Sequence, residues 1–271
     1  MPELPEVETT RRGITPYTLA QRVTHVIVRN PNLRQIVSPQ LATALPGQTI
    51  HAIDRRGKYL LLRSTAGTVI IHLGMSGNLQ ILSASTPAEK HDHVDIVLAS
   101  GQCLRLCDPR RFGAVVWTCE DPLQHLLLRN LGPEPLDDGF TETHLYQASR
   151  NRKVTVKQFI MNGHIVTGVG NIYASESLFL AGIHPECSAG RVSRKRYERL
   201  TIAIKQVLNA AIVQGGTTLR DFYNGEGKPG YFQQQLNVYG RADEPCHTCQ
   251  RPISQLRQGQ RSTFYCTGCQ T

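Results

Sequence analysis

From about residue 22 to 118, apolar and polar residues alternate in short runs: RVTHVIVR, KYLLLRS, TVIIHLG, HVDIVLAS and CLRLCDPRRFGAVVWT. Turn signals at Pro46-Gly47, Ala66-Gly67 and Ser100-Gly101 separate them. A period of two puts every second side chain on one face, so these runs are predicted strands of a β-rich domain, a sandwich. Ahead of them, Pro5 to about Leu19 reads as a helix, with Pro5 where a missing N–H is harmless and with Glu6 and Glu8 in the first turn. From 121 onward the period becomes helical, after the acidic Gly/Pro-rich stretch LGPEPLDDG that marks a domain junction. The clearest helix there sets Leu200, Ile204, Val207, Leu208, Ala211 and Ile212 on one stripe and ends at Gly215-Gly216. Residues 217–241 have weak periodicity and several glycines, which reads as a mobile loop and a short link. The predicted fold is α+β in three parts: 1–131, a β-sandwich led by a helix; 132–241, helical; and 242–271, a cysteine-bearing hairpin.

Composition narrows the class. With 271 residues, 40% hydrophobic and 19% charged, the chain has the balance of an ordinary globular protein and is too long for a disulfide-stapled miniature. Its net charge of +9 is unevenly spread: residues 1–149 hold 14 basic and 14 acidic side chains, whereas residues 150–271 hold 16 and 7. Clustered positive charge suits a polyanion such as nucleic acid, though solubility or an acidic lipid surface produces the same balance. No apolar run is long enough to span a bilayer, and the start, MPELPEVETTRR, is acidic where a signal peptide is basic, so the expected location is the cytoplasm.

Two CxxC pairs, Cys246/Cys249 and Cys266/Cys269, stand sixteen residues apart, which is the spacing of a four-thiolate zinc site. One structural zinc is expected there. Between the pairs lie Arg251, Arg257 and Arg261 and no acid; such a hairpin suits phosphate, although solvated arginines look the same. Cys103, Cys107, Cys119 and Cys187 read as buried or inert thiols.

The N-terminus offers chemistry. If Met1 is removed, Pro2 carries a secondary α-amine that titrates near ~7.7–8.0 and is partly a free nucleophile at neutral pH. Attack on the C1′ of a sugar would give an iminium, an electron sink that acidifies the C2′ proton and permits elimination of a 3′ phosphate. Glu3 stands beside it as a proton donor, and Glu6 could hold the first turn. The plain alternative is that these acids only complement the helix dipole.

PELPEVETTRRG (2–13) resembles the start of the formamidopyrimidine-DNA glycosylases, bacterial base-excision repair enzymes that remove 8-oxoguanine and ring-opened purines. The resemblance continues, in family order, through RRGKYLLL, IHLGMSGNL, KHDHVD, DPRRFGA, LGPEP, VGNIYASESLF, QGGTTLRDF, GKPGYF and the cysteine module. It implies a bifunctional glycosylase and AP lyase acting by β,δ-elimination, a helix-two-turn-helix in the helical domain, and damaged duplex DNA between the domains. A monomer in the bacterial cytoplasm, associated with the nucleoid through DNA and using no nucleotide cofactor, is expected.

The same resemblance implies roles for single positions. Pro2 would be the nucleophile, Glu3 the acid that opens the deoxyribose, and Lys58 a proton donor near the lesion's phosphate. Met75, Arg110 and Phe112 would fill the void left by the everted nucleotide, as eversion loses stacking that inserted side chains must replace. His91, Arg110, Lys153, Lys157 and Asn171 would contact DNA, with Gly168 and Gly170 leading into the helix at Asn171. Glu6 and Glu176 would border the lesion pocket, and Arg261 would hold the flanking phosphate and assist the second elimination. The segment Thr217–Tyr239 would close over the everted base. The competing readings are an endonuclease VIII-type enzyme for oxidised pyrimidines and a non-catalytic zinc DNA-binding protein.

Overall fold

The computed structural model describes residues 2–215 and 236–271. They form two compact units that divide between Asn130 and Leu131.

The N-terminal unit opens with helix α1, Leu4–Thr18. Glu3 is its N-cap, and a capping box with Glu6 supplies partners for the first N–H groups, while a proline in the first turn has none to lose. Strand β1 (Val23–Val28) and a short helix α2 (Leu41–Ala44) follow, then β2 (Ala52–Arg56), β3 (Tyr59–Ser64), β4 (Gly67–His72), β5 (Asn78–Ser83), β6 (Asp92–Leu98), β7 (Gln102–Cys107) and β8 (Ala114–Thr118). Two four-stranded antiparallel sheets result, in the orders β1-β6-β7-β5 and β2-β3-β4-β8. Val23, Leu60, Leu62, Val69, Ile71, Leu79, Val94, Ile96, Leu104, Leu106 and Val115, drawn from both sheets, share one core with Val7 and Ile14 of α1, so the sandwich expected from the alternation is present. The inner strands depart from that alternation, with three or four consecutive buried residues in β3, β4 and β7, and β6 departs furthest, buried along its whole length. Its Asp95 is covered because it pairs with the buried Arg105 of β7 at 2.9 Å and with Arg29 at 2.7 Å.

The C-terminal unit holds α3 (Glu142–Ser149), α4 (Val156–Ile160), α5 (Asn171–Ala181) and α6 (Arg194–Val213), then the hairpin β9 (Ile253–Gln258) and β10 (Arg261–Cys266). Thr141 and Thr155 cap α3 and α4 through their hydroxyls, and Gly182 ends α5 in the left-handed region at φ 66°, where a Cβ would be strained. The hairpin packs on the helices. Phe179 of α5 joins Val238, Ile253, Phe264, Cys246 and Cys266 in one apolar cluster. Gln270 donates to the Ile183 carbonyl at 2.9 Å, and His184 N–H to the Thr271 carbonyl at 3.0 Å. Among the described residues no helix is long and apolar enough to cross a membrane. The segment expected to close over a base, Thr217–Tyr239, lies outside the described residues except for its last four positions.

Candidate active site and nucleic-acid interface

In the N-terminal unit, Pro2 and Glu3 are buried at the head of α1. Glu6, which the resemblance puts at the lesion pocket, is fully buried, and its carboxylate accepts from Glu3 N–H at 2.8 Å. Here Glu6 fixes the backbone that carries the candidate nucleophile and acid. Two residues on, Glu8 accepts from Arg11 and Arg12 of its own helix and, at 3.2 Å, from Arg55 of β2. Burial pushes its carboxyl up, but the arginines outweigh this and hold it at about 2. Arg55 also donates to the Gly57 carbonyl at 3.1 Å, one residue before Lys58. No local pattern singles out Glu8 for this part, yet through Arg55 it ties the helix after the candidate nucleophile to the Lys58 turn.

Lys58 is half-buried, and the next residue, Tyr59, lies opposite His72 in the β3–β4 ladder with ring centroids 4.7 Å apart. Burial, and then the positive charges of Lys58 and Arg34, lower His72 to about 4, and its Nδ1 accepts from Gly74 N–H at 3.0 Å. The imidazole is therefore neutral at physiological pH, with its remaining proton on Nε2. It was not among the expected site residues; its place two residues before a glycine turn was the available signal.

Met75 and Phe112 are each 42% exposed, well outside the core. Met75 lies on the turn between β4 and β5, and Arg110 and Phe112 lie on the connection from β7 to β8, with the Arg110 guanidinium 5.0 Å from the centre of the Phe112 ring. The structure thus brings the three expected void-filling side chains onto two neighbouring loops. Asp108, fully buried, joins these loops: one carboxylate oxygen accepts from Ser76 Oγ and the other from Gly113 N–H, both at 2.8 Å. His91 is half-buried, and its carbonyl accepts from Asp108 N–H at 2.9 Å.

In the C-terminal unit, Lys157, Asn171 and Arg261 line one recess of about 270 Å³ with Gln158, Met161 and Asn162. The resemblance has all three facing phosphate, and within the chain they have partners of their own. The buried Lys157 ammonium donates to Asn171 Oδ1 at 2.7 Å, Thr263 Oγ1 at 2.8 Å and the Ser262 carbonyl at 3.2 Å. Asn171 Nδ2 donates to the same Ser262 carbonyl at 3.0 Å. Lys157 and Asn171 therefore fasten the hairpin to α4 and α5, while Arg261 is exposed and forms no ion pair with a described residue. Lys153 is exposed beyond the α3 C-terminus. Glu176, expected at the lesion pocket, also has partners within the chain. It is 3% exposed, and its carboxylate accepts from the N–H groups of Asn237, Val238 and Tyr239 and from Asn237 Nδ2, at 2.8–3.0 Å. Four donors fill the acceptor sites of a carboxylate, so Glu176 is an anchor for residues 237–239.

The sulfurs of Cys246, Cys249, Cys266 and Cys269 all lie within 4.8 Å of one another, with Cys246 to Cys269 at 3.8 Å and Cys249 to Cys266 at 3.3 Å. A tetrahedral zinc with bonds of about 2.3 Å separates its sulfurs by about 3.8 Å, so the cluster fits that ion. Each CxxC pair sits at a turn, one before β9 and one after β10, and the hairpin brings them together. Of the other thiols, Cys103 is buried and Cys119, just past the end of β8, is exposed.

Residues 1–115 match the model of the formamidopyrimidine-DNA glycosylase N-terminal domain, residues 131–223 that of the formamidopyrimidine-DNA glycosylase H2TH domain, and residues 243–271 that of a zinc finger found in FPG and IleRS. The chain belongs to the formamidopyrimidine-DNA glycosylase family. It is 57% identical over 270 residues to the formamidopyrimidine-DNA glycosylase of Geotalea uraniireducens and 58% identical over 271 residues to that of Shewanella halifaxensis, covering 100% of itself and 100% and 99% of those proteins. Among solved structures it is similar to the MutM (FPG) protein of Thermus thermophilus, at 34% identity and TM-score 0.89, covering 99% of this chain and 98% of that one. It is also similar to a Lactococcus lactis FPG mutant in complex with Fapy-dG DNA, at 34% identity and TM-score 0.92, covering 99% of both chains. Membership accounts for the sandwich, the α4–turn–α5 arrangement and the four-cysteine hairpin in a single chain. It also removes the non-catalytic zinc protein as a competing reading, and the four thiolates are those of one structural zinc.

Proposed function

We propose that the chain excises oxidised purines from damaged duplex DNA and then cleaves the strand, with Pro2 as nucleophile. The observation that carries this reading is the head of α1, where Glu6 holds Glu3 in place beside Pro2 and Glu8 ties the helix, through Arg55, to the turn of Lys58. Family membership supports the substrate class, and full-length similarity to a protein solved with Fapy-dG DNA supports duplex DNA as partner.

The free Pro2 amine attacks C1′, the bond from C1′ to the base breaks, and the base leaves with a proton. The nitrogen lone pair then forms an iminium as Glu3 protonates the ring oxygen and the deoxyribose opens. Loss of a C2′ proton into this electron sink expels the 3′ phosphate, and a further proton loss expels the 5′ phosphate. Lys58 and Arg34 both bear on the neutral His72, and that local positive charge suits a phosphate and a proton donor. Arg261, whose charge no described residue neutralises, is the candidate for the flanking phosphate. Met75, Arg110 and Phe112 enter the duplex in place of the everted nucleotide. The enzyme works as a monomer in the cytoplasm, on nucleoid DNA, and needs no nucleotide cofactor.

Borohydride reduction in the presence of 8-oxoguanine duplex should trap a covalent adduct on the peptide beginning at Pro2. Mapping the adduct to Lys58 or another internal lysine would overturn the nucleophile. Faster turnover of an oxidised pyrimidine than of 8-oxoguanine would favour the endonuclease VIII-type specificity.

A further inference from the structure

The two loops that carry Met75, Arg110 and Phe112 come from different strand connections, yet their backbones interlock. Gly74 has φ +66°, and a Cβ built on it would stand 2.4 Å from the Phe112 carbonyl carbon and 2.5 Å from Gly113 N. The Met75 turn is itself closed by Gly77 N–H donating to the Leu73 carbonyl at 2.8 Å, and a Cβ on Gly77 would collide with that carbonyl at 2.1 Å. Neither loop can shift far without the other.

One polar relay joins them. Ser76 Oγ accepts from Arg110 N–H at 3.2 Å and donates to Asp108 at 2.8 Å, so the hydroxyl is engaged in both directions. The second carboxylate oxygen of Asp108 takes Gly113 N–H. Asp108 is itself fixed: its carbonyl accepts from the buried His93 Nε2 at 2.8 Å and from Arg111 N–H at 3.1 Å. Arg111 lies at φ 56°, a left-handed conformation that a non-glycine residue holds only when its surroundings enforce it.

We propose that Asp108 and Ser76 are positioning residues for the void-filling triad: their relay makes the Met75 turn and the Arg110–Phe112 loop one preorganised unit and so sets how Arg110 meets the orphaned base. This inference rests on the reading of Met75, Arg110 and Phe112 as the residues that enter the duplex. Neither Ser76 nor Asp108 touches DNA in this role. Their contribution is to reduce the ordering that insertion requires and to fix the direction of the guanidinium, on which discrimination between opposing bases depends.

The experiment is single-turnover excision of 8-oxoguanine opposite cytosine and opposite adenine by the full-length enzyme, with melting curves on the same samples. Ser76→Ala should lower the cytosine-to-adenine rate ratio about fivefold, the scale of one lost hydrogen bond, and Ser76→Thr should restore it. Asp108→Asn should act in the same direction, and if that variant does not fold the Ser76 pair decides. On an Arg110→Ala background, Ser76→Ala should change the ratio less than about twofold, because it acts through Arg110. A wild-type ratio in Ser76→Ala, alongside a reduced ratio in Arg110→Ala, overturns the relay and leaves the triad standing. An unchanged ratio in Arg110→Ala overturns the triad reading itself and the relay with it.

Discussion

Glu8 of α1 and Arg55 of β2 stand 3.2 Å apart, both with side chains nearly covered. This pair fastens α1, which follows the proposed nucleophile Pro2, to the turn that presents Lys58, so two residues outside the proposed chemistry fix the spacing of two within it. Its charge is also the clearest source of acid sensitivity. Glu8 has its folded pKa depressed from 4.5 to about 2, so its stabilising effect is complete above about pH 4.5 and lost as pH falls through about 2. Allowing for solvent screening of the arginines, this is on the order of 1–2 kcal/mol. Urea titrations of wild type and Glu8→Gln should differ by that amount at pH 7 and converge near pH 2. A constant difference across the range would mean that Glu8 acts through packing.

Zinc removal should disturb more than the hairpin. Because Phe179 of α5 packs in the same cluster as Cys246 and Cys266, stripping the ion should loosen the C-terminal end of α5 as well as weaken DNA binding. Metal analysis should return one zinc per chain. Hydrogen exchange after chelation should rise at Phe179–Ile183 together with β9 and β10, and exchange confined to the hairpin would count against this coupling.

Phe112→Ala should leave the melting temperature within a few degrees of wild type, since a side chain 42% exposed on a loop contributes less than about 1 kcal/mol. Excision should nevertheless fall. A loss of about 3–5 kcal/mol, as for a buried phenylalanine, would identify a packing residue instead.

Glu176→Gln should destabilise the C-terminal unit by about 2–3 kcal/mol, because an amide replaces a charged acceptor and turns a donor toward the N–H groups of residues 237–239. Thermal denaturation with single-turnover excision separates the roles. Unchanged stability with altered lesion preference would mean that Glu176 acts at the lesion pocket and not as an anchor.

Sequence by itself determined the strands of the sandwich other than β2 and β5, the leading helix, the long amphipathic α6 and the four-cysteine ligand set, because each follows from spacing within a short stretch of chain. Met75 and Phe112, both exposed, were singled out through the family resemblance. What only the tertiary structure decided is which polar atom answers which. The resemblance gives Lys157 a phosphate and Glu176 a place at the lesion pocket; only the structure shows that the Lys157 ammonium rests on Ser262 and Thr263, more than a hundred residues away, and that the Glu176 carboxylate holds residues 237–239. Ser76 and Arg110, 34 residues apart, show no relation along the chain. A buried charge must be neutralised or fully hydrogen-bonded, so its role is set by the donors and acceptors that folding brings to it, and local pattern carries no record of those partners.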